Sequence, residues 1–414
     1  MHNSIYYIIL VIIVLDFIFE RYLDYLNSKS LSAELPGELV GIYDKEQYAR
    51  SQDYEKVKSR FALVTSALSF TVIILMFAFG GFGWLDSFLR QWITSPVWLA
   101  LLFFGIIGLA SDILTLPFGW YSTFVIEERF GFNKTTVKTF ILDHVKSLLL
   151  AAIIGGGLLA LVVWIYEQTQ GMFWIYTLIV ITTFSLFMTM FYSSLIVPLF
   201  NKQKPLQDGE LRDAIQRFSE RAGFKLDNIF VIDGSKRSTK ANAYFTGFGA
   251  KKRIVLYDTL MGEMETEEIV AVLAHEIGHY KKKHIVSGLV LSLLNTAVML
   301  YIFSLVVGRP EPAFALGAHV ASFHVGLVAF GILYTPLSFL IGMGMNVFSR
   351  KNEYQADSFA AGYGLAEALG NSLKKLSVKN LSNLTPHKAY VFFHYSHPPL
   401  LARLKNLKAN NANK

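Results

Sequence analysis

Seven apolar stretches govern what this chain can become, near 4–24, 61–82, 97–117, 147–166, 172–197, 285–307 and 324–347. Each is about as long as the roughly 20 residues a helix needs to cross a hydrocarbon core. Charged residues make up only 17% of the chain, against about 25% in an ordinary soluble domain, so a solvated globular surface of this size is out of reach. Within lipid, every backbone polar group must be satisfied inside its own segment, which makes these stretches helices. The first could pass for a signal peptide. It lacks a basic leader, however, and Asp16, Phe17 and Phe19 stand where small cleavage-site residues belong, so it is read as a permanent span. The expected fold is mainly α and polytopic, with seven transmembrane helices.

Loop charges orient these spans. The first connection carries Lys29, Lys45, Arg50, Lys56, Lys58 and Arg60, and the third carries Arg129, Lys134, Lys138 and Lys146. The long fifth connection and the C-terminal tail are also rich in Lys and Arg, whereas the second offers only Arg90, the sixth only Arg309 and the fourth nothing. The positive-inside rule then puts the N-terminus outside and the C-terminus in the cytoplasm. The net charge of +7 lies mostly on that cytoplasmic face, where anionic lipid attracts it. No soluble basic module accompanies it, so a nucleic-acid partner is not expected. The chain has no cysteine, which excludes disulfides, thiolate metal sites and cysteine nucleophiles.

The chain divides into spans one to five with their loops (1–198), a polar region (199–284), spans six and seven (285–347) and a polar C-terminal region (348–414). In the first polar region, Asp208 to Ala222 reads as an amphipathic helix ended by Gly223. Asn228–Asp233, Ala241–Phe248 and Arg253–Tyr257 read as strands of a small sheet, the last two joined through a turn at Gly249-Ala250-Lys251. Thr266 is the expected N-cap of the next helix, whose positive end is crowded by Glu263, Glu265, Glu267 and Glu268.

That helix carries His275-Glu276-Ile277-Gly278-His279, an H-E-x-x-H pattern. Residues at i and i+4 share a helix face, so both imidazoles can reach one metal ion. No breaker follows, and the helix is expected to run through Lys281, Lys282, Lys283 and His284 straight into span six. Span seven likewise runs into Ser349–Asp357, where Glu353 and Asp357 lie one turn apart. Both helices would thus meet at the membrane surface, suited to a substrate that comes from the bilayer.

Two imidazoles and a carboxylate leave a fourth position for water, the donor set of a catalytic rather than structural zinc site. His275, His279 and Glu353 are the expected ligands of one Zn2+ per chain. Glu276 is the expected general base, and Asp357 the acceptor for a ligand imidazole N–H. His397, in the Ser396-His397-Pro398-Pro399 turn, is a further histidine with no partner spacing of its own. His144, His284, His319, His324, His387 and His394 are read as interfacial or loop residues without a role. Asp16 and Asp112 interrupt spans, facing a water-filled interior or pairing with a neighbouring span. Gly155-Gly156-Gly157 is expected to let the fourth span pack closely on a neighbour.

These residues together resemble the type 1 CAAX prenyl proteases, integral-membrane zinc endopeptidases. The likeness spans essentially the whole chain. It is carried by Tyr43–Phe61, by the LPFGWYSTFVIEERFGFN stretch within Leu116–Leu150, by KANAYFTGFG and KRIVLYDTL, and by HEIGH, SRKNEYQAD and SHPPLLARL. It implies seven long helices enclosing a water-filled chamber, closed at the cytoplasmic end by a zincin-like α+β metallopeptidase region. It further implies that His275, His279 and Glu353 bind zinc and that Glu276 is catalytic. By the same resemblance His397 stabilises the tetrahedral oxyanion, Arg403 is its accompanying structural arginine, and Asn242 and Ala243 hold the substrate backbone along a strand edge.

The implied reaction is peptide hydrolysis near a prenylated C-terminus, with the lipid bilayer and a lipidated peptide or protein as partners. Compact loops point to a bacterial inner membrane; in a eukaryotic cell the endoplasmic reticulum membrane takes its place. A bacterial substrate would be an imported, host or misfolded membrane polypeptide. The alternatives are a general quality-control zinc protease and, from another class, a transporter or channel with a structural metal site. The chain shows no internal repeat or paired broken helices of the kind transporters use.

Overall fold

The computed structural model describes residues 3–412 apart from 33, 36, 38, 39, 42, 225–227 and 248–251. The protein is mainly helical. Among the described residues, five helical stretches are long and apolar enough to cross a membrane: Lys45–Ala78, Pro96–Glu127, Val137–Phe200, His284–Ser304 and Phe323–Gly362. The stretch of 64 residues doubles back. A 3-10 turn at Gln170–Met172, with Gln170 at φ 42°, separates Gly156–Thr169 from Phe173–Leu195, and these two helices pack on each other. It therefore contains two of the expected apolar runs. The first helix, Ser4–Lys29, spans 26 residues, but its apolar run is broken by Asp16, Glu20 and Arg21.

Large apolar side chains such as Ile113, Ile153, Ile179, Leu294 and Leu340 are exposed on these helices, as a lipid-facing surface requires. Asp112 pairs with His144, 3.0 Å away on the next helix, so each offsets the other's cost in an apolar setting. The expected role of the three glycines is not realised. A side chain at Gly155 or Gly157 would meet nothing within 4 Å, and one at Gly156 would touch only Leu101 at 3.9 Å. A π-helical segment at Ala151–Gly155 occupies this place instead.

The polar segments build one compact body on the site side. Four strands, β1 (Gln203–Pro205), β2 (Ile229–Ile232), β3 (Ala243–Thr246) and β4 (Arg253–Tyr257), form a sheet of order β1-β2-β4-β3. β2 and β4 are parallel, the other two pairs antiparallel. β1 was not expected; it is three residues long and lies at one edge, where Pro205 costs no ladder bond. β3 forms the other edge, with Ala243 opposite Leu256 and Tyr244 opposite Val255. The expected turn at Gly249-Ala250-Lys251 lies outside the described residues.

Behind the sheet the histidine helix, Thr266–Lys281, runs through the core of this body. Ile269, Leu273 and Ile277 pack with Ile215 and Phe218 of the amphipathic helix Glu210–Arg221 and with Leu256 and Leu369. Its N-cap is Glu265, one residue before the expected Thr266, because Glu265 and Glu268 form a reciprocal capping box. Its far end also differs from expectation: the helix is not continuous with the next one. Lys282 caps it, Lys283 adopts a left-handed backbone at φ 59°, and a new helix begins at His284. By contrast, Phe323–Gly362 is a single helix of 40 residues, about 60 Å long, roughly twice a hydrocarbon core.

Candidate metal centre and peptide site

His275 and His279 face the long helix from one turn of the histidine helix. Their Nε2 atoms lie 3.1 Å apart. Glu353 comes from the long helix, with Oε2 3.4 Å from His275 Nε2 and Oε1 3.3 Å from His279 Nε2. One ligand atom from each of the three lies within 4.8 Å of the others. The close crossing depends on Gly278, between the two histidines. A Cβ there would sit 3.1 Å from Phe359 Cβ and 3.2 Å from Ala356 Cα, tighter than such contacts ordinarily are, so any side chain at this position would press the two helices apart.

The donor set suits a divalent ion. Glu353 is 4% exposed, yet no hydrogen-bond donor reaches its buried Oε2 among the described residues. His275 at 3.4 Å and Arg403 at 3.6 Å lie too far to hydrogen-bond this oxygen, and a bound cation would complete its pairing. Two imidazole nitrogens and a carboxylate oxygen, in a chain without thiols, favour zinc.

Asp357 stands behind His275, fully buried. Its Oδ1 is 2.9 Å from His275 Nδ1, and Arg403 donates to Oδ1 from Nη2 at 2.6 Å and to Oδ2 from Nε at 3.0 Å. Arg403 Nη1 also lies 3.6 Å from Glu353 Oε2, so one guanidinium bridges both carboxylates of the long helix. Burial alone pulls the His275 imidazole down, but its contacts with Asp357 and then Glu353 outweigh that and raise it to about 9. Burial also opposes the charge on Arg403, and Asp357 more than restores it, raising the group above its ordinary value. With Nδ1 tied to Asp357, His275 presents Nε2 to the centre.

His397 lies on the solvent side of the cluster, 66% exposed, with Nε2 3.3 Å from Glu353 Oε1. Ser396 Oγ is 3.0 Å from its Nδ1 and restrains the ring. A cavity of about 470 Å³ opens on this side. Asn242, Ala243, His275, Glu276, His279, Glu353, His397 and Arg403 all line it, leaving only Asp357 of the expected site residues outside, behind the imidazole it holds. Its remaining walls are largely apolar, with Leu369, Leu373 and Leu376 on one flank and Ile285, Met345 and Phe348 toward the membrane.

The edge strand presents backbone to this cavity. Asn242 C=O accepts from Tyr257 N–H at 3.1 Å, which turns Asn242 toward β4. Because facing alternates along a strand, Ala243 and Phe245 then direct their backbone groups to the outer edge, where Ala243 N–H donates to Asn242 Oδ1 at 2.8 Å. Phe245 also lines the cavity and carried no signal that singled it out in the sequence.

Some residues read as inert do have partners. His324 pairs with buried Asp86 at 2.6 Å, and His394 lies 3.5 Å from Glu20. His284 reaches the metal cluster itself: its Nδ1 is 3.1 Å from His279 Nδ1 and its Nε2 is 3.0 Å from Gln355 Oε1. A spacing of five residues gave no reason to pair His284 with His279.

Comparison with known proteins shows what the whole chain resembles. The family model for the CAAX prenyl protease N-terminal region, described as five membrane helices, matches residues 24–202. The model for peptidase family M48 matches residues 205–411. CAAX prenyl protease 1 of Saccharomyces cerevisiae is 37% identical over 427 residues, covering 95% of this chain and 93% of the yeast protein. The Arabidopsis thaliana homolog is also 37% identical, covering 95% of each chain. The Homo sapiens homolog is 31% identical, covering 91% of this chain and 89% of its own. The crystal structure of S. mikatae Ste24p superposes with a TM-score of 0.93 at 36% identity, over 98% of this chain and 100% of that one.

Proposed function

The chain belongs to the CAAX prenyl protease 1 family within peptidase family M48, and on that premise we propose that it is a zinc-dependent endopeptidase of the membrane surface. Its substrates are prenylated proteins or related lipid-associated peptides, cut near the C-terminus. The observation that carries this reading is the convergence of His275, His279 and Glu353, whose buried Oε2 accepts no hydrogen bond, in the same cavity as the β3 edge.

His275, His279 and Glu353 hold the metal. Bound there, a zinc ion would supply Lewis acidity for the scissile carbonyl and for the attacking water. The chain's own residues do the rest. An extended peptide adds to the outer edge of β3, pairing with backbone groups of Ala243 and its neighbours, a mode that asks little of the substrate's side chains. The Glu276 carboxylate, on the cavity wall, takes the proton of the attacking water and returns it to the leaving amine nitrogen. His397, exposed to the cavity, donates from Nε2 to the oxygen that gains charge as the carbonyl becomes tetrahedral. Asp357 and Arg403 keep His275 in the tautomer that binds.

Seven spans enclosing a chamber is the arrangement we favour, counting the first helix and the two halves of the doubled-back stretch. The loop charges support an outside N-terminus and a cytoplasmic site. The host membrane is the bacterial inner membrane or, in a eukaryote, that of the endoplasmic reticulum. The apolar wall formed by Ile285, Met345 and Phe348 suits a lipidated residue next to the bond to be cut.

The test is cleavage of farnesylated and unmodified versions of one C-terminal peptide by the purified protein, with and without phenanthroline. Chelator-sensitive cleavage favouring the farnesylated peptide is expected. Equal cleavage of both would move the reading to general membrane quality control, and no cleavage by zinc-loaded protein would overturn it.

A further inference from the structure

We infer that His284 and Gln355 form a hydrogen-bonded relay that positions the ring of His279 for the metal; this rests on the reading of His279 as a ligand. His279 directs Nε2 at His275 and Glu353, which leaves Nδ1 on the far side. There it meets His284 Nδ1 at 3.1 Å, and His284 Nε2 meets Gln355 Oε1 at 3.0 Å. Two nitrogens this close share one proton. With Nε2 of neutral His279 given to a metal, that proton sits on His279 Nδ1 and donates outward. His284 Nδ1 must then accept, which puts its own proton on Nε2, pointing at the Gln355 carbonyl. Both imidazoles are thereby fixed in one tautomer each, and the Gln355 oxygen accepts at the end of the chain.

The backbone is built for this contact. On an unbroken helix, residues five apart lie about 140° from each other around the axis, so His284 would face away from His279. The left-handed residue Lys283 ends that helix and turns the next one, and this swings His284 back onto the ring. His284 is buried, and Gln355 comes from the long helix, two residues beyond Glu353. The two ligand histidines are thus held by different means, His275 by a charged pair and His279 by a neutral chain that crosses to the other ligand-bearing helix.

The test uses full-length protein in detergent, with zinc affinity read by competition against a chromophoric chelator. Visible spectra of the cobalt-loaded protein report ligand geometry, and the unfolding midpoint of the metal-free protein checks the fold. His284→Leu keeps bulk but cannot accept, and it should weaken zinc binding about 10- to 100-fold and alter the cobalt bands. His284→Asn offers an acceptor oxygen where Nδ1 stood and should recover most of the loss. Gln355→Leu should show a smaller loss that Gln355→Glu does not, and this pair decides the matter if His284→Leu fails to fold. Wild-type zinc affinity and cobalt spectra in both leucine variants would overturn the relay, as would an asparagine variant no better than leucine. A wild-type protein that binds no zinc would instead remove the metallopeptidase reading beneath it.

Discussion

Gly278→Ala separates the assembly of the metal site from the stability of the fold. The added Cβ would lie 3.1 Å from Phe359 Cβ and 3.2 Å from Ala356 Cα. Relaxed carbon contacts are about 3.5–4.0 Å, so the helices must part by roughly 0.5 Å. Ala356 Cα is backbone and cannot rotate aside. Overpacking of this kind costs about 1–3 kcal/mol, while alanine in place of glycine inside a helix returns up to about 1 kcal/mol. The metal-free protein should therefore lose between almost nothing and about 3 kcal/mol. Metal sites tolerate only about 0.2 Å in ligand distance, so the same displacement should harm binding far more. Zinc affinity measured by chelator competition is expected to fall at least tenfold, with cleavage falling in step at limiting zinc. Unchanged affinity and rate in this variant would refute the claim that the crossing at Gly278 sets the distance from Glu353 to the imidazoles.

Three other perturbations read different parts of the site. Glu276→Gln should keep stoichiometric zinc while cleavage drops about 10²- to 10⁴-fold; full turnover in that variant would remove Glu276 from the chemistry. Asp357→Ala strands a buried guanidinium and frees His275 Nδ1, so about 3–5 kcal/mol of stability should go, together with tight zinc binding, both measurable on the purified protein. In the metal-free protein His275 ionises near 9 rather than the ordinary 6.5, so the folded state holds its proton more tightly than the unfolded chain does. That contribution to stability is complete below about pH 6.5 and is lost as pH rises through 9. Zinc must expel the same proton, so its affinity should run the other way, climbing up to about tenfold per unit over this window. Denaturation midpoints and zinc titrations at several pH values would show the opposed slopes, and a pH-independent affinity would contradict them.

The convergence of the two histidines was legible because H-E-x-x-H is a local code: a spacing of four residues on a helix brings two rings to one face wherever the helix lies. Glu353 and Asp357 were readable for the same reason, being one turn apart on a run continuous with an apolar span. The roles of Asn242, Ala243, His397 and Arg403 rested on likeness to a family rather than on any spacing. Two errors have a common origin. Lys283 and Gly155–Gly157 were judged by residue type, yet Lys283 takes a left-handed backbone that its type disfavours, and the glycines line open space where small residues usually signal close packing. What forces each is tertiary. Gly278 is the reverse case, a glycine whose reason shows only when the second helix is in place. His284 stayed hidden because its pairing with His279 depends on that one unexpected backbone angle. β1 was too short to leave a pattern, and it exists because β2 offers an edge.

The contrast between the two helices has a mechanical consequence. Glu353 rides on a rod whose other end is embedded deep in the apolar layer, whereas the paired histidines sit on a segment jointed free of its own anchor at Lys283. A tilt of the rod is carried to the histidine helix by the tight crossing at Gly278, while the joint lets the histidine helix turn independently of the span that follows it. The three candidate ligands thus travel together with the rod, because that packing binds both helices at the level of the site.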